Sequence, residues 1–478
     1  MSNKIKAING AKWTTVSTIF SAVLQFGQVA LLARLLLPSA FGIVSISTLI
    51  INFLSIFAHF GFSNSIISKQ VTNQKILSTI YYLNLLIGVV MFALMYLSAP
   101  LLVLYYKEPL LDGVLKMAAF SFPIVFLGQI YNILLEKELK FKWLALTDIF
   151  CSITGSLVTI IMAFNGYQAK SLVGGLLSAQ FLKMIIHNVL GRQYFTPIIY
   201  FKLDEIKDHL VFGMYNMGEN LVGFVNDNID NILIGGFLGV KQLGYYTIAW
   251  QIAVFPTTRL CPVIIQISYP IIAKMKDSLE SLKQAYLKIT VFIAYCIIPL
   301  LTGLFLMASN VIPILYGEGW GDTVPLVKIF SVMGILFCFM YTTSPVAYLT
   351  GKPNYLLYRN LVVLAIKIPV IYFAARTYGL TGIALAFLAT SVVSLVLNFV
   401  LVQKMLGSFF ASLIKDLIKP ALFSVAMVVV ILLYKYFIGN AGIINTVVQI
   451  ALGGLVYAGL TLKYKLSFAE IKNLRKAL

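Results

Sequence analysis

The chain has 478 residues, of which 60% are hydrophobic and only 11% charged, and its mean hydropathy is +0.92. Soluble domains carry about 25% charged residues, so a water-soluble enzyme or binding domain is excluded. The net charge of +19 would point to nucleic acid if it formed a basic patch on a folded domain, but the lysines lie between apolar runs, and nucleic acid is not an expected partner.

Runs of roughly 20 apolar residues, each enough for a membrane-crossing helix, recur almost without pause. The first begins at Ala11. It is longer than a signal-peptide core and lacks a small-residue cleavage site, so the N-terminus is expected to be retained. Apolar runs fall near 11–37, 40–66, 77–105, 113–135, 144–165 and 168–191. A second series falls near 206–238, 242–272, 284–309, 323–350, 355–375 and 379–403, with a final pair near 417–438 and 441–462. The expected fold is an all-α polytopic membrane protein of about 14 transmembrane helices. Counting Lys and Arg over alternate connections leaves only Arg34, Lys107, Lys116, Lys170, Lys241, Arg376 and Lys435 on one side. Cytoplasmic loops are the ones enriched in these residues, so both termini are expected in the cytoplasm.

The chain repeats itself. At an offset of 210, Tyr106, Glu108, Asp112, Val114, Phe120 and Ser121 match Tyr316, Glu318, Asp322, Val324, Phe330 and Ser331. At an offset of 202, the stretch from Ala33 to Ile46 lies over that from Gly235 to Ile248. Spans one to six thus recur as seven to twelve. Two six-helix lobes of like orientation imply a pseudo-two-fold axis along the membrane normal and a cavity between them. The expected organisation is an N-terminal lobe over 1–200, a C-terminal lobe over 201–405, and an extra helix pair with a tail over 406–478. Asp112 and Asp322, on the outer side, are expected to cap the helices that follow them.

One span breaks the apolar rule. Between Gly213 and Gly239 lie Glu219, Asp227 and Asp230 together with Asn216, Asn220, Asn226, Asn228 and Asn231. An acidic side chain at mid-membrane costs roughly 2.5 to 3.5 kcal/mol, so these groups must face protein, water or a solute. At the helical repeat, Glu219, Asn226 and Asp230 fall within roughly 40° of one another, with Asp227 beside them. In the first repeat Asp227 and Asp230 correspond to Gln25 and Gln28, and Glu219 to Ser17. Both repeats therefore place hydrogen-bonding groups at equivalent depth, and only the second is charged.

No connection is long enough to hold a soluble domain, and no Walker, G-x-S-x-G, H-E-x-x-H or paired-carboxylate loop motif is present. No metal site is expected. Cys151, Cys261, Cys296 and Cys338 are scattered singly and read as small buried hydrophobes. His187 and His209 are read as solvated near the cytoplasmic edge. Asn52, Asn64 and Asn84 are read as polar glue between helices.

The stretches Ala33 to Gln70 (ARLLLPSAFGIVSISTLIINFLSIFAHFGFSNSIISKQ) and Asn228 to Pro256 (NIDNILIGGFLGVKQLGYYTIAWQIAVFP) resemble the signatures of a known group. It is the polysaccharide-export branch of the multidrug, oligosaccharidyl-lipid and polysaccharide exporter superfamily, akin to colanic acid and teichuronic acid exporters. The resemblance covers most of the chain and weakens after about Lys404. It implies a flippase, not an enzyme, moving an undecaprenyl-pyrophosphate-linked oligosaccharide from the inner to the outer leaflet of the cytoplasmic membrane by alternating access. Its partners would be that substrate, membrane lipids, and the polysaccharide polymerase and chain-length machinery. It implies no cofactor and leaves open coupling to an H+ or Na+ gradient. The sibling lipid II flippases carry arginines in the first span where this chain has Gln25 and Gln28, which argues against lipid II as cargo. A cation-coupled multidrug exporter of the same superfamily is the main alternative. A polymerase or ligase would need a large outer loop, and none is visible.

A pyrophosphate and sugar cargo needs cationic donors and amide or hydroxyl groups. Arg259, between Pro256 and Pro262, which are expected to open the helix, is the first candidate for phosphate. An ion pair with Asp227 or Asp230 is its equally weighted alternative. Lys367 comes next, with Gln25, Gln28 and Asn226 for the sugars. Asp227, Asp230 and Glu219 are candidates for ion coupling, with counter-ion and sugar-binding roles also open to the first two. Lys183 and Lys328 are expected to snorkel to an interface.

Overall fold

The computed structural model describes residues 3–58, 66, 72–203, 207–275, 278–440 and 442–464. In hydrocarbon a backbone must satisfy its own hydrogen bonds, which a helix does within one segment, and the apolar runs accordingly form helices. These are α1 (Asn3–Leu35), α2 (Pro38–Ala58), α3 (Gln74–Tyr106), α4 (Leu110–Ala119), α5 (Ser121–Lys137), α6 (Phe141–Phe164), α7 (Ala169–Gly191), α8 (Lys207–Phe237), α9 (Val240–Ala273), α10 (Leu279–Tyr316), α11 (Thr323–Cys338), α12 (Thr343–Leu349), α13 (Asn354–Leu406), α14 (Phe410–Phe437) and α15 (Ile443–Tyr464). Among the described residues the regular structure is helical throughout.

Helix ends use the expected chemistry in places. Asn73 caps α3 by accepting from the backbone N–H of Lys75 at 2.9 Å. Ser278 caps α10 by accepting from Ser281 N–H at 3.3 Å. The two matched aspartates do not cap as expected. Asp112 sits within the first turn of α4 and binds Lys116 one turn on at 2.8 Å. Asp322 occupies the N-cap position of α11 but makes no side-chain cap bond. The i,i+4 lysine offers Asp112 a charged partner in place of backbone N–H groups.

Twelve stretches of described helix are long and apolar enough to cross a membrane. One of them is α13, whose 53 residues contain Gly379 at φ 59° and ψ −145°. That conformation is open to glycine and strained for other residues, and it divides α13 into two arms, 354–378 and 380–406. The 31-residue α8 is not among the twelve. A total of about fourteen crossings requires both arms of α13 to be counted and α8 to be added.

The chain divides into two compact units, Met1–Gly244 and Tyr245–Leu478. In the first unit α6 is central, packing on α1 and α7, while α5 packs on α7 and α3. Helix α8, which opens the second sequence repeat, lies against α2 of the first, with Phe53 and Phe224 centroids 5.4 Å apart. In the second unit α10 packs on α11 and on both helices of the α14–α15 pair. The Tyr457 hydroxyl donates to the Tyr295 carbonyl at 3.0 Å, within a core that includes Met427 and Ile431.

The repeat signature meets its own copy inside the first unit. A Cβ on Gly42 of α2 would fall on the carbonyl oxygen of Val240, and one on Gly244 would fall on the carbonyl oxygen of Pro38. At the offset of 202, Pro38 maps to Val240 and Gly42 to Gly244, so the contact is reciprocal between equivalent positions. Backbones this close tolerate no side chain on either glycine.

Gly42→Ala and Gly244→Ala should each lower the thermal unfolding midpoint of the purified protein, by overpacking worth about 1–3 kcal/mol. Gly27→Ala, with nothing within 4 Å of the added carbon, should leave it unchanged or raise it.

Candidate functional site

In the first unit, one face of α6 carries Asp148, Ser152 and Ser156. Side chains four residues apart stack on one side of a helix, and this column meets partners on both neighbouring helices. Ser152 shares a hydrogen bond with Ser21 of α1 at 3.1 Å. Ser156 donates to the side-chain oxygen of Gln28 at 2.8 Å. Lys183 of α7 donates to the Asp148 carboxylate at 2.6 Å. Gln28 is therefore engaged by α6, whereas Gln25 is exposed.

This corrects the expectation for Lys183, which forms an interhelical ion pair rather than snorkelling alone, because Asp148 lies within reach. His187, one turn beyond Lys183, is 2% exposed; packing in the first unit buries it where the sequence suggested solvent. Asn84 is also fully buried, and among the described residues neither polar atom of its amide has a hydrogen-bond partner, so the expected tie between helices is not made there. Asp148 was not singled out from the sequence, although the four-residue spacing of Asp148, Ser152 and Ser156 carried the signal.

On α8, Asp227 is exposed, Asn226 is partly buried and Asp230 is 2% exposed. A step of three residues turns a helix by roughly 300°, enough to send one carboxylate outward and the other into the protein. Asn228 donates to the Phe224 carbonyl of its own helix at 2.9 Å. The side chain of Glu219 lies outside the described residues.

In the second unit, α9 presents two contrasting faces. Trp250 stacks on Phe387 of the second α13 arm, with centroids 5.5 Å apart and planes at 2°. It also meets Phe330 of α11 edge-on at 5.5 Å. Thr257, two turns further, donates to the Gly334 carbonyl of α11 at 3.3 Å. Arg259 is nine residues from Trp250, a rotation of roughly 180°, and so leaves the opposite face. It is exposed, its guanidinium carbon 5.3 Å from the Phe255 ring centroid. A bare guanidinium midway along a membrane-crossing helix is costly in hydrocarbon. Helix α9 runs unbroken through Pro256 and Pro262, so the expected opening is not seen: each proline withdraws one N–H while neighbouring turns hold the helix.

Lys367, on the first arm of α13, is 2% exposed. Its ammonium lies 3.8 Å from the centroid of Phe387, which also stacks on Trp250. The cation is thus held against an aromatic face, a favourable electrostatic contact when desolvated. Trp250 and Phe387 were missed in the sequence. The available signal was position, since Trp250 is one of only four tryptophans and lies inside a span, away from the interface that usually takes this residue. Among the described residues no group of three or more His, Cys, Asp or Glu could hold a metal ion.

The model of a family described as polysaccharide biosynthesis protein matches residues 31–325. The chain is 26% identical over 431 residues to the lipopolysaccharide biosynthesis protein WzxC of Escherichia coli K12, covering 90% of this chain and 88% of that one. It is 28% identical over 422 residues to the teichuronic acid biosynthesis protein TuaB of Bacillus subtilis 168, covering 88% and 87%. Its fold is similar to a structure of the lipid II flippase MurJ in an inward closed conformation, with a TM-score of 0.74 at 19% identity, covering 94% of this chain and 98% of that one. With its many membrane-crossing helices and a match over more than half its length, the chain is a multi-pass membrane protein that belongs to the polysaccharide biosynthesis protein family.

Proposed function

We propose that the protein is a flippase that moves an undecaprenyl-pyrophosphate-linked oligosaccharide from the inner to the outer leaflet of the cytoplasmic membrane by alternating access, supplying surface polysaccharide biosynthesis. The observation that carries this reading is Arg259, an exposed cation midway along a membrane-crossing helix, where a mobile anion can reach it. A guanidinium can hold a phosphate through two parallel N–H donors. The polysaccharide roles in the names of the relatives support a glycan as the rest of the cargo.

Arg259 is the first phosphate contact. Lys367 adds positive potential from inside the protein, and it can touch cargo only after leaving the Phe387 ring. The exposed Gln25 and the partly buried Asn226 serve the sugar hydroxyls, while Gln28 is shared with Ser156. Asp227, Asp230 and Glu219 couple transport to an H+ or Na+ gradient. Both termini lie in the cytoplasm, and the polymerase and chain-length machinery receive the exported lipid. The protein transports and does not catalyse. A cation-coupled drug exporter would place carboxylates alone at mid-span, and Arg259 speaks against it.

Arg259→Ala should abolish glycan export in a complementation assay while leaving the amount of protein in the membrane unchanged. Arg259→Lys should keep only a fraction of export, because an ammonium lacks the two-pronged geometry. Full export by the alanine variant would remove the phosphate role. For the coupling groups, Asp227→Asn combined with Asp230→Asn should flatten the dependence of transport on pH and Na+ in proteoliposomes. An unaltered dependence would exclude the pair as the coupling site.

A further inference from the structure

A further cation of the second unit, Arg359, meets amides rather than carboxylates among the described residues. Arg359, near the start of α13, donates from Nη1 to the Asn398 side-chain oxygen at 2.9 Å. It also donates from Nη2 and Nε to the Asn360 side-chain oxygen at 2.9 and 3.3 Å. Both acceptors are neutral amides. Ion pairs such as Lys116–Asp112, Lys183–Asp148 and Lys283–Glu280 occur elsewhere among the described residues and do not involve Arg359. A guanidinium has five N–H donors, and these bonds leave one on each terminal nitrogen. Asn398 is 0% exposed, and among the described residues its Nδ2 has no hydrogen-bond partner. The cluster therefore holds a full positive charge, surplus donors and a buried amide nitrogen without an acceptor. Buried donors are normally satisfied, and a semi-buried cation in a membrane segment normally has an anion beside it.

The position narrows the chemistry of that anion. Arg359 is five residues into α13, roughly 8 Å from the helix start at 1.5 Å per residue, near one end of a membrane-length helix rather than at its middle. The arms of α13 are antiparallel about Gly379, so Arg359 opposite Asn398 brings the exposed Lys352 and Lys404 to the same end. The flank of the helix beside Arg359 carries exposed Tyr358, Leu361 and Val362, an apolar surface suited to an acyl or prenyl chain. Basic pockets between membrane helices are where phosphate head groups bind.

We propose that Arg359, with Asn360 and Asn398, forms a binding site for the phosphate group of a membrane lipid, distinct from Arg259. The phosphate can belong to an anionic glycerophospholipid of the bilayer or to a polyprenyl pyrophosphate. Only the second source rests on the flippase reading.

Native mass spectrometry of the full-length protein in detergent separates these cases, with phosphatidylglycerol, undecaprenyl pyrophosphate and the zwitterionic phosphatidylcholine added in turn. The wild type should bind one or both anionic lipids in preference to phosphatidylcholine. Arg359→Gln should reduce that binding at least tenfold. Asn398→Asp should do the same while preserving the link between the arms of α13, because its carboxylate would occupy the anion's place beside the guanidinium. The Asn398→Asp protein should therefore melt no lower than the wild type. Loss confined to phosphatidylglycerol identifies a bilayer lipid and holds even if Arg259→Ala exports normally. Loss confined to undecaprenyl pyrophosphate identifies the cargo class. Wild-type binding of both lipids by both variants would overturn the proposal and leave Arg359 as a tie between helices.

Discussion

Hydrocarbon supplies no hydrogen bonds, so every polar group carried into it must be met by another part of the chain, by water or by a solute. The backbone meets this demand locally, by forming helices. The side chains cannot, and the ways in which they are satisfied define the interior of this protein. Asp148 meets Lys183, Ser156 meets Gln28, Lys367 meets the face of Phe387, and Arg359 meets two amides. Arg259, by contrast, emerges from the face of α9 opposite Trp250. The distribution of satisfied and outward-facing groups separates those that hold the fold from those left open to their surroundings.

Four basic residues illustrate how burial sets role. Lys183 is paired with a carboxylate, so its charge is spent on joining α6 and α7. Lys367 is desolvated but rests on an aromatic ring, which stabilises the ammonium without neutralising it. Among the described residues Arg359 has amide oxygens as its acceptors and keeps donors to spare. Arg259 is exposed, with its guanidinium over the ring of Phe255. Charge that is fully compensated cannot attract an anion strongly, whereas charge that is partly compensated in a low-dielectric setting can. This ordering, rather than the mere presence of basic residues, distinguishes Arg259 and Arg359 from Lys183 and Lys367.

The duplication has a physical counterpart in the contact between Gly42 and Gly244. Each glycine admits the carbonyl oxygen of the residue four positions before the other, so the same short motif serves as both surface and partner. Two copies of one sequence are self-complementary only when each leaves room for the other, and glycine is the residue that leaves it. The compact division at Gly244 falls after α8, because that helix packs on α2 rather than standing apart with the repeat it opens.

Much of the architecture was legible in the residue order. Apolar runs of membrane length, the lysine bias of alternate loops and the offset of 202 point to a helical, multi-pass, duplicated chain, since each signal arises from local composition or from a fixed spacing. The acidic run on α8 and Arg259 stood out because charged residues are costly in lipid. Tertiary structure alone decided which polar groups are partnered. Nothing local in the sequence reveals that Lys183 reaches Asp148, that Gln28 is taken by Ser156 and Gln25 is not, or that Phe387 lies between Trp250 and Lys367. The reason is physical: partners 35 or 128 residues apart in sequence meet only through helix packing, while the rule that reads a single helix extends no further than its own turns.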